Sequence, residues 1–282
     1  MKIIAEVGIN HNGSLEIARG CIDVAKQAGA DVVKFQKRDL ETVYSHCWDD
    51  PRKSPWGDTQ GAQKNQLELS QSDFDEIDRH CAEVNMDWTA SAWDIKSLEF
   101  LDRYDLKSLK VASPMVASLE FLQEVAERGK EVYLSTGACD LSMVDDAVEV
   151  FTKAGCPFVL MHCVLAYPMP PALANLTVLD LYRKRYGCRV GWSGHERGLD
   201  ISFAAAGFGI HAIERHLTLS KLLYGSDQEA SLDPQEFTDL CHGLRRIESA
   251  MGRPIKAILP EEEKNAWKLR AHLNCDNLPE QQ

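Results

Sequence analysis

Residues 1–36 read MKIIAEVGINHNGSLEIARGCIDVAKQAGADVVKFQ, and this stretch contains the smallest unit of the predicted fold. Apolar runs over 3–8 and 31–36 predict two buried strands. Between them, Ile17, Cys21 and Val24 repeat with helical spacing over 14–28, and Ser14 is a suitable N-cap. A strand, a helix and a second strand in this order predict a parallel βα unit.

The same alternation continues along the chain and predicts eight strands, at 3–8, 31–36, 86–91, 109–113, 132–136, 158–163, 189–193 and 212–217. Ser72 and Ser118 are further expected helix N-caps. Eight βα units in about 250 residues are what a closed (β/α)₈ TIM barrel requires. The sequence therefore predicts an α/β protein with one TIM barrel, and the active site of such a barrel lies at the carboxyl ends of its strands.

Two segments do not fit the regular repeat. The stretch from Arg38 to Gln71 is too long for an ordinary βα loop and is rich in Trp, Pro, Asp and Gln, so we expect an insertion that covers the catalytic face. Arg52 or Lys53 is its expected contact with a substrate or with a neighbouring subunit, and the alternative is a solvated loop without a role. After the barrel domain at 1–255, residues 256–282 are predicted to form a linker-like helix and a short tail.

Composition limits the class of protein. The chain has 282 residues, 44% of them hydrophobic, which is enough for a large core. With 31 Lys and Arg against 43 Asp and Glu, its formal charge is -12, so we expect no nucleic-acid partner. No run approaches the roughly 18 apolar residues of a membrane helix, and the nine cysteines show no C-x-x-C pair. We therefore expect a cytoplasmic protein with reduced thiols.

Polar side chains stand at the ends of the predicted strands, with two lysines, Lys34 and Lys110, among several hydroxyl groups. Ammonium and hydroxyl donors on one rim suit a small anion such as a phosphate or a carboxylate. A structural alternative is that either lysine pairs with Glu6 or Glu214 inside the barrel, and that His162 is a core histidine.

His195 and His216 stand at the ends of the last two predicted strands, which are neighbours in a closed barrel. Two imidazoles there would hold one divalent cation and leave coordination positions open for a substrate.

Seven short motifs together resemble the N-acetylneuraminate (sialic acid) synthase family: IAEVGINHNG at 4–13, VKFQ at 33–36, LSTG at 134–137, YP at 167–168, SGH at 193–195, ERH at 214–216 and GSD at 225–227. The resemblance runs in order over about the first 255 residues. It implies a TIM barrel that condenses phosphoenolpyruvate with N-acetylmannosamine or a related hexose, using a divalent metal.

Matched by position, the resemblance assigns a role to each site residue. It implies that His195 and His216 bind the metal, and that Glu6, Lys110 and His195 are catalytic. Phosphoenolpyruvate binding falls to Lys34, Ser91, Lys110, Ser113, Ser135 and Ser193, and sugar binding to Gln36, Tyr167 and Asp227. The expected cofactor is Mn²⁺, with Mg²⁺ or Co²⁺ as alternatives, and the expected partners are the two small substrates and further copies of the chain in a homo-oligomer.

The chain departs from the family pattern at three places. Met115 replaces a usual Glu, Leu165 replaces a frequent Asn, and the antifreeze-like domain that usually follows the barrel is not expected in 256–282. Two other functions therefore remain alternatives: a Schiff-base aldolase or lyase in which Lys110 attacks a keto acid, and an inactive barrel that only binds a sugar or phosphate.

Overall fold

The structure of the protein, a computed structural model, describes residues 1–273. Its main feature is a closed parallel barrel of eight strands: β1 (Lys2–Gly8), β2 (Val32–Lys37), β5 (Asp87–Ala92), β6 (Ser108–Val111), β7 (Glu131–Ser135), β8 (Phe158–Cys163), β9 (Arg189–Gly194) and β10 (Ala212–His216). The strands pair in chain order, and β1 closes the ring against β10. All eight predicted strands and the TIM-barrel fold are confirmed.

Helices follow the strands and pack around the barrel: α1 (Leu15–Ala28), α4 (Gln71–Glu83), α5 (Ile95–Leu101), α6 (Leu119–Glu127), α7 (Leu141–Lys153), α8 (Val178–Tyr186), α9 (Asp200–Gly207) and α10 (Pro234–Met251). Ser14 and Ser118 cap α1 and α6 by accepting a backbone hydrogen bond, as predicted. The predicted cap at Ser72 is wrong. Ser70 caps α4 instead, because it forms a reciprocal capping box with Asp73.

Apolar side chains separate into two layers. The large core lies between the strands and the helices and includes Phe35, Phe74 and Trp88. A smaller buried cluster holds Ile4, Val32, Tyr133, Val159, Met161 and Ala212, all on barrel strands. Successive strand residues point to opposite faces, so polar residues further along the same strands reach the barrel interior at its carboxyl end.

The long insertion after β2 is folded. It contains α2 (Leu40–Tyr44), a 3₁₀ turn at Ser45–Cys47, the hairpin β3 (Pro51–Ser54) and β4 (Gly57–Thr59), and α3 (Gln60–Leu67). Trp48 packs on Gly61, where any Cβ would lie 2.3 Å from the indole ring. Gln63 Nε2 donates to the Tyr224 hydroxyl at 2.9 Å, and Trp56 packs edge-on against the same ring. These contacts fasten the insertion to the loop that follows β10.

Two compact units divide the chain, Met1–Ala250 and Met251–Gln282. The second contains α11 (Pro260–Arg270), a helix within the range 256–282 where a linker-like helix and a tail are predicted, and residues 274–282 of that range lie outside the described residues. The domain boundary predicted at residue 255 stays a prediction. Within residues 1–273, no helix has the length and apolar character needed to cross a membrane, and every cysteine is a free thiol.

Candidate active site

A polar pocket of about 440 Å³ opens at the carboxyl ends of the barrel strands. All twelve site residues assigned by the family resemblance line it: Glu6, Lys34, Gln36, Ser91, Lys110, Ser113, Ser135, Tyr167, Ser193, His195, His216 and Asp227. The structure therefore brings together residues that are up to 221 positions apart (227 minus 6) in the sequence. Their individual roles stay predictions.

The floor of the pocket holds a buried group of three charged residues at the closure of the barrel. Lys34 Nζ lies 2.7 Å from Glu6 Oε2 and 3.6 Å from Glu214 Oε1. Strand register explains the contact between Lys34 and Glu6, because Glu6 on β1 lies opposite Lys34 on β2. On its other side, Glu6 lies opposite His216 on β10. The structural alternative foreseen for Lys34 is thus confirmed, and it is compatible with a role in the site.

Burial and charge act against each other within this group. Burial raises the pKa of Glu6 from 4.5 to about 7. Burial also opposes the charged forms of Lys34 and Glu214. Their mutual attraction outweighs it, raising the pKa of Lys34 and lowering the pKa of Glu214. The pocket floor therefore holds one ion pair and one carboxyl group that exchanges its proton near neutral pH.

Within residues 1–273, Lys110 forms no ion pair with a carboxylate, unlike Lys34. Its Nζ donates to Ser135 Oγ at 2.6 Å and to the Val111 carbonyl at 3.0 Å. Burial lowers the pKa of Lys110. A buried ammonium held by neutral oxygens is ready to receive an anionic ligand, because the ligand would supply the missing countercharge.

Gly8 is needed where β1 ends. Its φ is +54°, a backbone conformation that glycine adopts readily, and an added Cβ would lie 2.9 Å from Glu6 Oε1 and 3.1 Å from Gln36 Nε2. That space allows Gln36 Nε2 to donate to Glu6 Oε1 at 2.8 Å. The glycine therefore keeps the Glu6 carboxyl group oriented towards Gln36.

His195 and His216 lie side by side with ring centroids 5.5 Å apart, and Tyr167 packs 4.1 Å from the His195 ring. His195 Nδ1 donates to the Val164 carbonyl at 2.8 Å, which leaves its Nε2 lone pair free. Buried Nδ1 of His216 has no hydrogen-bond partner within residues 1–273. Burial lowers the pKa of both imidazoles, and that of His195 to about 4. Neutral imidazoles are the form that binds a metal.

These two residues fit a metal held by two protein ligands, with further positions left to substrate and water. No cluster of three or more His, Cys, Asp or Glu side chains suited to a metal occurs in residues 1–273. The metal and its identity stay predictions.

Several lining residues were absent from the predicted site. Arg38, Tyr44 and Lys64 come from the insertion, whereas neither Arg52 nor Lys53 is among the described residues that line the pocket. A signal for Arg38 was present, because Lys34, Gln36 and Arg38 alternate and so share one strand face. Lys64 carries no local signal in the sequence, because the fold of the insertion alone brings it to the pocket.

Two of the three departures from the family pattern, Leu165 and Met115, differ in position. Leu165 lines the pocket, whereas the Met115 side chain packs against the large core. His162 is a core histidine, as the structural alternative expected, since its Nε2 donates to the Ala174 carbonyl at 2.9 Å.

A second buried ion pair lies behind the histidines. The Arg215 side chain is on the opposite strand face from Glu214 and His216, and it contacts Glu196, which follows His195. Arg215 Nη1 donates to Glu196 Oε1 and Ser202 Oγ, both at 2.9 Å, and to the Gly198 carbonyl at 3.0 Å. The pair ties the loop after β9 to β10, the two elements that carry the imidazoles.

Known proteins resemble the chain over nearly its whole length. The N-acetylneuraminate-9-phosphate synthase of Homo sapiens is 37% identical over 264 residues, which cover 92% of this chain and 74% of the relative. The N,N'-diacetyllegionaminic acid synthase of Campylobacter jejuni is 35% identical over 96% of this chain and 83% of that protein.

The crystal structure of a sialic acid synthetase from Leptospira borgpetersenii is similar with a TM-score of 0.85 at 30% identity, covering 96% of this chain and 91% of that one. Residues 21–256 match the NeuB family. Together with the barrel and the composition of its pocket, these similarities show that the chain belongs to the NeuB family of sialic acid synthase-like enzymes.

Proposed function

We propose that this enzyme condenses phosphoenolpyruvate with an N-acylated hexose similar to N-acetylmannosamine, giving a nonulosonic acid and phosphate in a metal-dependent reaction. One observation carries the proposal. Buried lysines, serine hydroxyl groups and two adjacent neutral imidazoles line a single pocket at the catalytic end of the barrel. Sialic acid and legionaminic acid synthases among the relatives support the same reaction class.

Phosphoenolpyruvate carries a phosphate and a carboxylate, and the pocket floor can hold both. Lys110 faces the pocket with only neutral oxygens around it, and Ser91, Ser113, Ser135 and Ser193 supply hydroxyl donors. Lys34 adds a positive charge that Glu6 and Glu214 hold in place. Charge-assisted hydrogen bonds of this kind are stronger than neutral ones, particularly where water is excluded.

In the proposed reaction, C3 of phosphoenolpyruvate forms a bond with the aldehyde carbon of the open-chain sugar. Water then adds to C2, and phosphate leaves with cleavage of the C–O bond to give a 2-keto-3-deoxy acid. Glu6 is the proposed proton carrier for the water or the new hydroxyl group. Its pKa of about 7 suits that task, because a group that titrates near the working pH can both accept and donate a proton.

His195 and His216 would hold a divalent cation, Mn²⁺ or alternatively Mg²⁺ or Co²⁺, which as a Lewis acid polarises the aldehyde carbonyl when bound. Tyr167 packs on the His195 ring and limits its movement. The Val164 carbonyl fixes which imidazole nitrogen carries the proton. The protein's contribution here is to orient two neutral imidazoles towards the same side of the pocket.

Mass spectrometry of products formed from phosphoenolpyruvate, Mn²⁺ and a panel of aldoses tests the proposal. We expect a nonulosonic acid with an N-acylated hexose, together with one phosphate per product, and no product in excess chelator. Product formation that persists in chelator would contradict the metal dependence. Failure with every aldose, by a folded protein supplied with metal, would contradict the condensation itself.

A Schiff-base aldolase remains the second candidate function, because burial lowers the pKa of Lys110 and so makes its amine a better nucleophile. Borohydride trapping with pyruvate distinguishes the two. A stable adduct at Lys110 would favour the aldolase, whereas the synthase should remain unlabelled and release phosphate.

The relatives leave one detail of the substrate open. The human protein is named for a 9-phosphate product, and the Campylobacter protein for a product whose name includes no phosphate. We further propose that the enzyme acts in the cytoplasm as a homo-oligomer, as predicted from the sequence.

A further inference from the structure

The pocket contains cations at two depths. Lys34 and Lys110 lie on barrel strands at its floor. Arg38, immediately after β2, and Lys64, on α3 of the insertion, line the outer part, and we call these two residues the outer cations. Since the whole protein carries a formal charge of -12, two further positive charges on one small surface need an explanation.

Arg38 is buried, and its hydrogen bonding is incomplete. One guanidinium nitrogen donates to the Gln36 side chain, and the guanidinium plane stacks on Trp93 at 4.3 Å from the ring centroid. Its Nε has no partner within residues 1–273. A guanidinium has five N–H donors in a planar fork, so a buried one beside a pocket is arranged to receive a phosphate or a carboxylate.

Lys64 lies in a similar environment. Its Nζ is 5.0 Å from the centroid of the Tyr44 ring. Burial lowers the pKa of Lys64, and with the smaller effect of the nearby Arg38 and Arg52 charges the value falls to about 8. Arg38 and Lys64 are like charges that line one pocket, and an anion between them would relieve the repulsion that acts on Lys64.

The carboxylates of the pocket are engaged elsewhere. Glu6 and Glu214 face Lys34 on the floor. Asp227 offsets part of the repulsion on Lys64, but it accepts a hydrogen bond from Ser226 Oγ and lies 3.9 Å from His216 Nδ1. Within residues 1–273, neither Arg38 nor Lys64 forms an ion pair with a carboxylate. The outer cations therefore have spare donors for a ligand.

We infer that Arg38 and Lys64 form a second anion subsite, which binds a phosphate at the end of the hexose remote from its aldehyde. The inference rests on the proposed function and names its substrate class: a hexose 6-phosphate rather than a neutral hexose.

The length of the joined substrates agrees with the spacing between Lys34 at the floor and Arg38 in the outer part of the pocket. Arg38 follows Lys34 by four residues on the same strand face, so the backbone positions of the two residues are about 13 Å apart at about 3.3 Å per residue. With C–C bonds of about 1.5 Å, phosphoenolpyruvate joined end to end with an extended hexose 6-phosphate separates its two phosphorus atoms by on the order of 13 Å. A phosphate bound at the floor thus leaves the second phosphate beside the outer cations.

Steady-state kinetics with N-acetylmannosamine and its 6-phosphate, each with phosphoenolpyruvate and Mn²⁺, tests the inference. We expect kcat/KM to favour the 6-phosphate by about tenfold or more, as one charge-assisted contact requires. Lys64→Met and Arg38→Met should each reduce that preference by about tenfold or more, mainly through the KM of the phosphorylated sugar. The matched control is Lys53→Met, from the same insertion but outside the pocket lining, which should keep the wild-type preference.

The outcomes separate the two proposals. Equal use of both sugars, or preference for the neutral one, overturns the phosphate subsite and leaves the proposed function intact. Wild-type preference retained in both Lys64→Met and Arg38→Met also overturns it. Absence of product with either sugar refutes the proposed function instead. If Arg38→Met does not fold, Lys64→Gln and calorimetric titration of the wild-type protein with the 6-phosphate decide the question.

Discussion

Replacing Arg215 with Met should destabilise the barrel strongly, because it leaves the Glu196 carboxylate buried without its countercharge. Both side chains are 0% exposed, and the Arg215 guanidinium also donates to Ser202 Oγ and the Gly198 carbonyl. Removing one partner of a buried pair costs about 3–5 kcal/mol. With an m-value of about 3 kcal/mol per M urea, the unfolding midpoint should fall by more than about 1 M.

Urea unfolding of four variants measures this effect: Arg215→Met, Glu196→Gln, the two changes combined, and Arg185→Met. Arg215→Met combined with Glu196→Gln should be less destabilised than the sum of the single changes, since the double variant buries no unpaired charge. Arg185→Met, which breaks an exposed ion pair with Asp145, is the control and should shift the midpoint much less. A midpoint for Arg215→Met equal to that of this control would refute the reasoning.

Four further predictions concern the pocket. Excess EDTA, or His195→Ala or His216→Ala, should abolish phosphate release and reduce bound metal in elemental analysis, and full activity under chelation would contradict this. Lys110→Met should lower kcat/KM for phosphoenolpyruvate by roughly 30-fold or more, which corresponds to a loss of about 2–5 kcal/mol, whereas unchanged kinetics would place the phosphate elsewhere. Because the pKa of Glu6 rises from 4.5 to about 7 on burial, the folded protein keeps a proton that the unfolded chain releases. Stability should therefore decrease from pH 4.5 to 7 in urea unfolding, and an identical slope in Glu6→Gln would refute this. Replacing residues 49–61 with a short Gly/Ser linker should raise the KM for the sugar, and an unaltered KM in a folded variant would show that the insertion does not cover it.

The barrel could be predicted because each strand is a short apolar run bounded by clear breaks. Phe158–Cys163 was predicted at both ends, and the other strands to within two residues. Helix ends were less certain at α4, where Ser70 and Ser72 are both plausible caps. Only the reciprocal bonds between Ser70 and Asp73 decide between them.

The residues at the floor of the candidate site were predicted from strand positions, whereas Asp227 and the role of each residue came from the family resemblance. Lys34, Lys110, Ser193 and His216 are fixed by the alternation of strand faces and by register. Lys64 depends instead on how the insertion folds. Its helix reaches the pocket through Gln63 and Tyr224, residues 161 positions apart in the sequence. No local pattern specifies such a contact.

Ring closure between β1 and β10 also sets the order in which the site is completed during synthesis. Glu6 and Lys34 belong to the first βα unit, but Glu214 is made 180 residues after Lys34 (214 minus 34). At about 5–20 residues per second, that interval lasts on the order of ten to forty seconds. Glu214 and His216 lie on the same strand, so the charged group of Glu6, Lys34 and Glu214 and the pair of imidazoles are both completed when β10 joins the barrel. A nascent chain that lacks β10 has Lys34 and Lys110 but neither Glu214 nor His216, so we expect activity to begin only with the last strand.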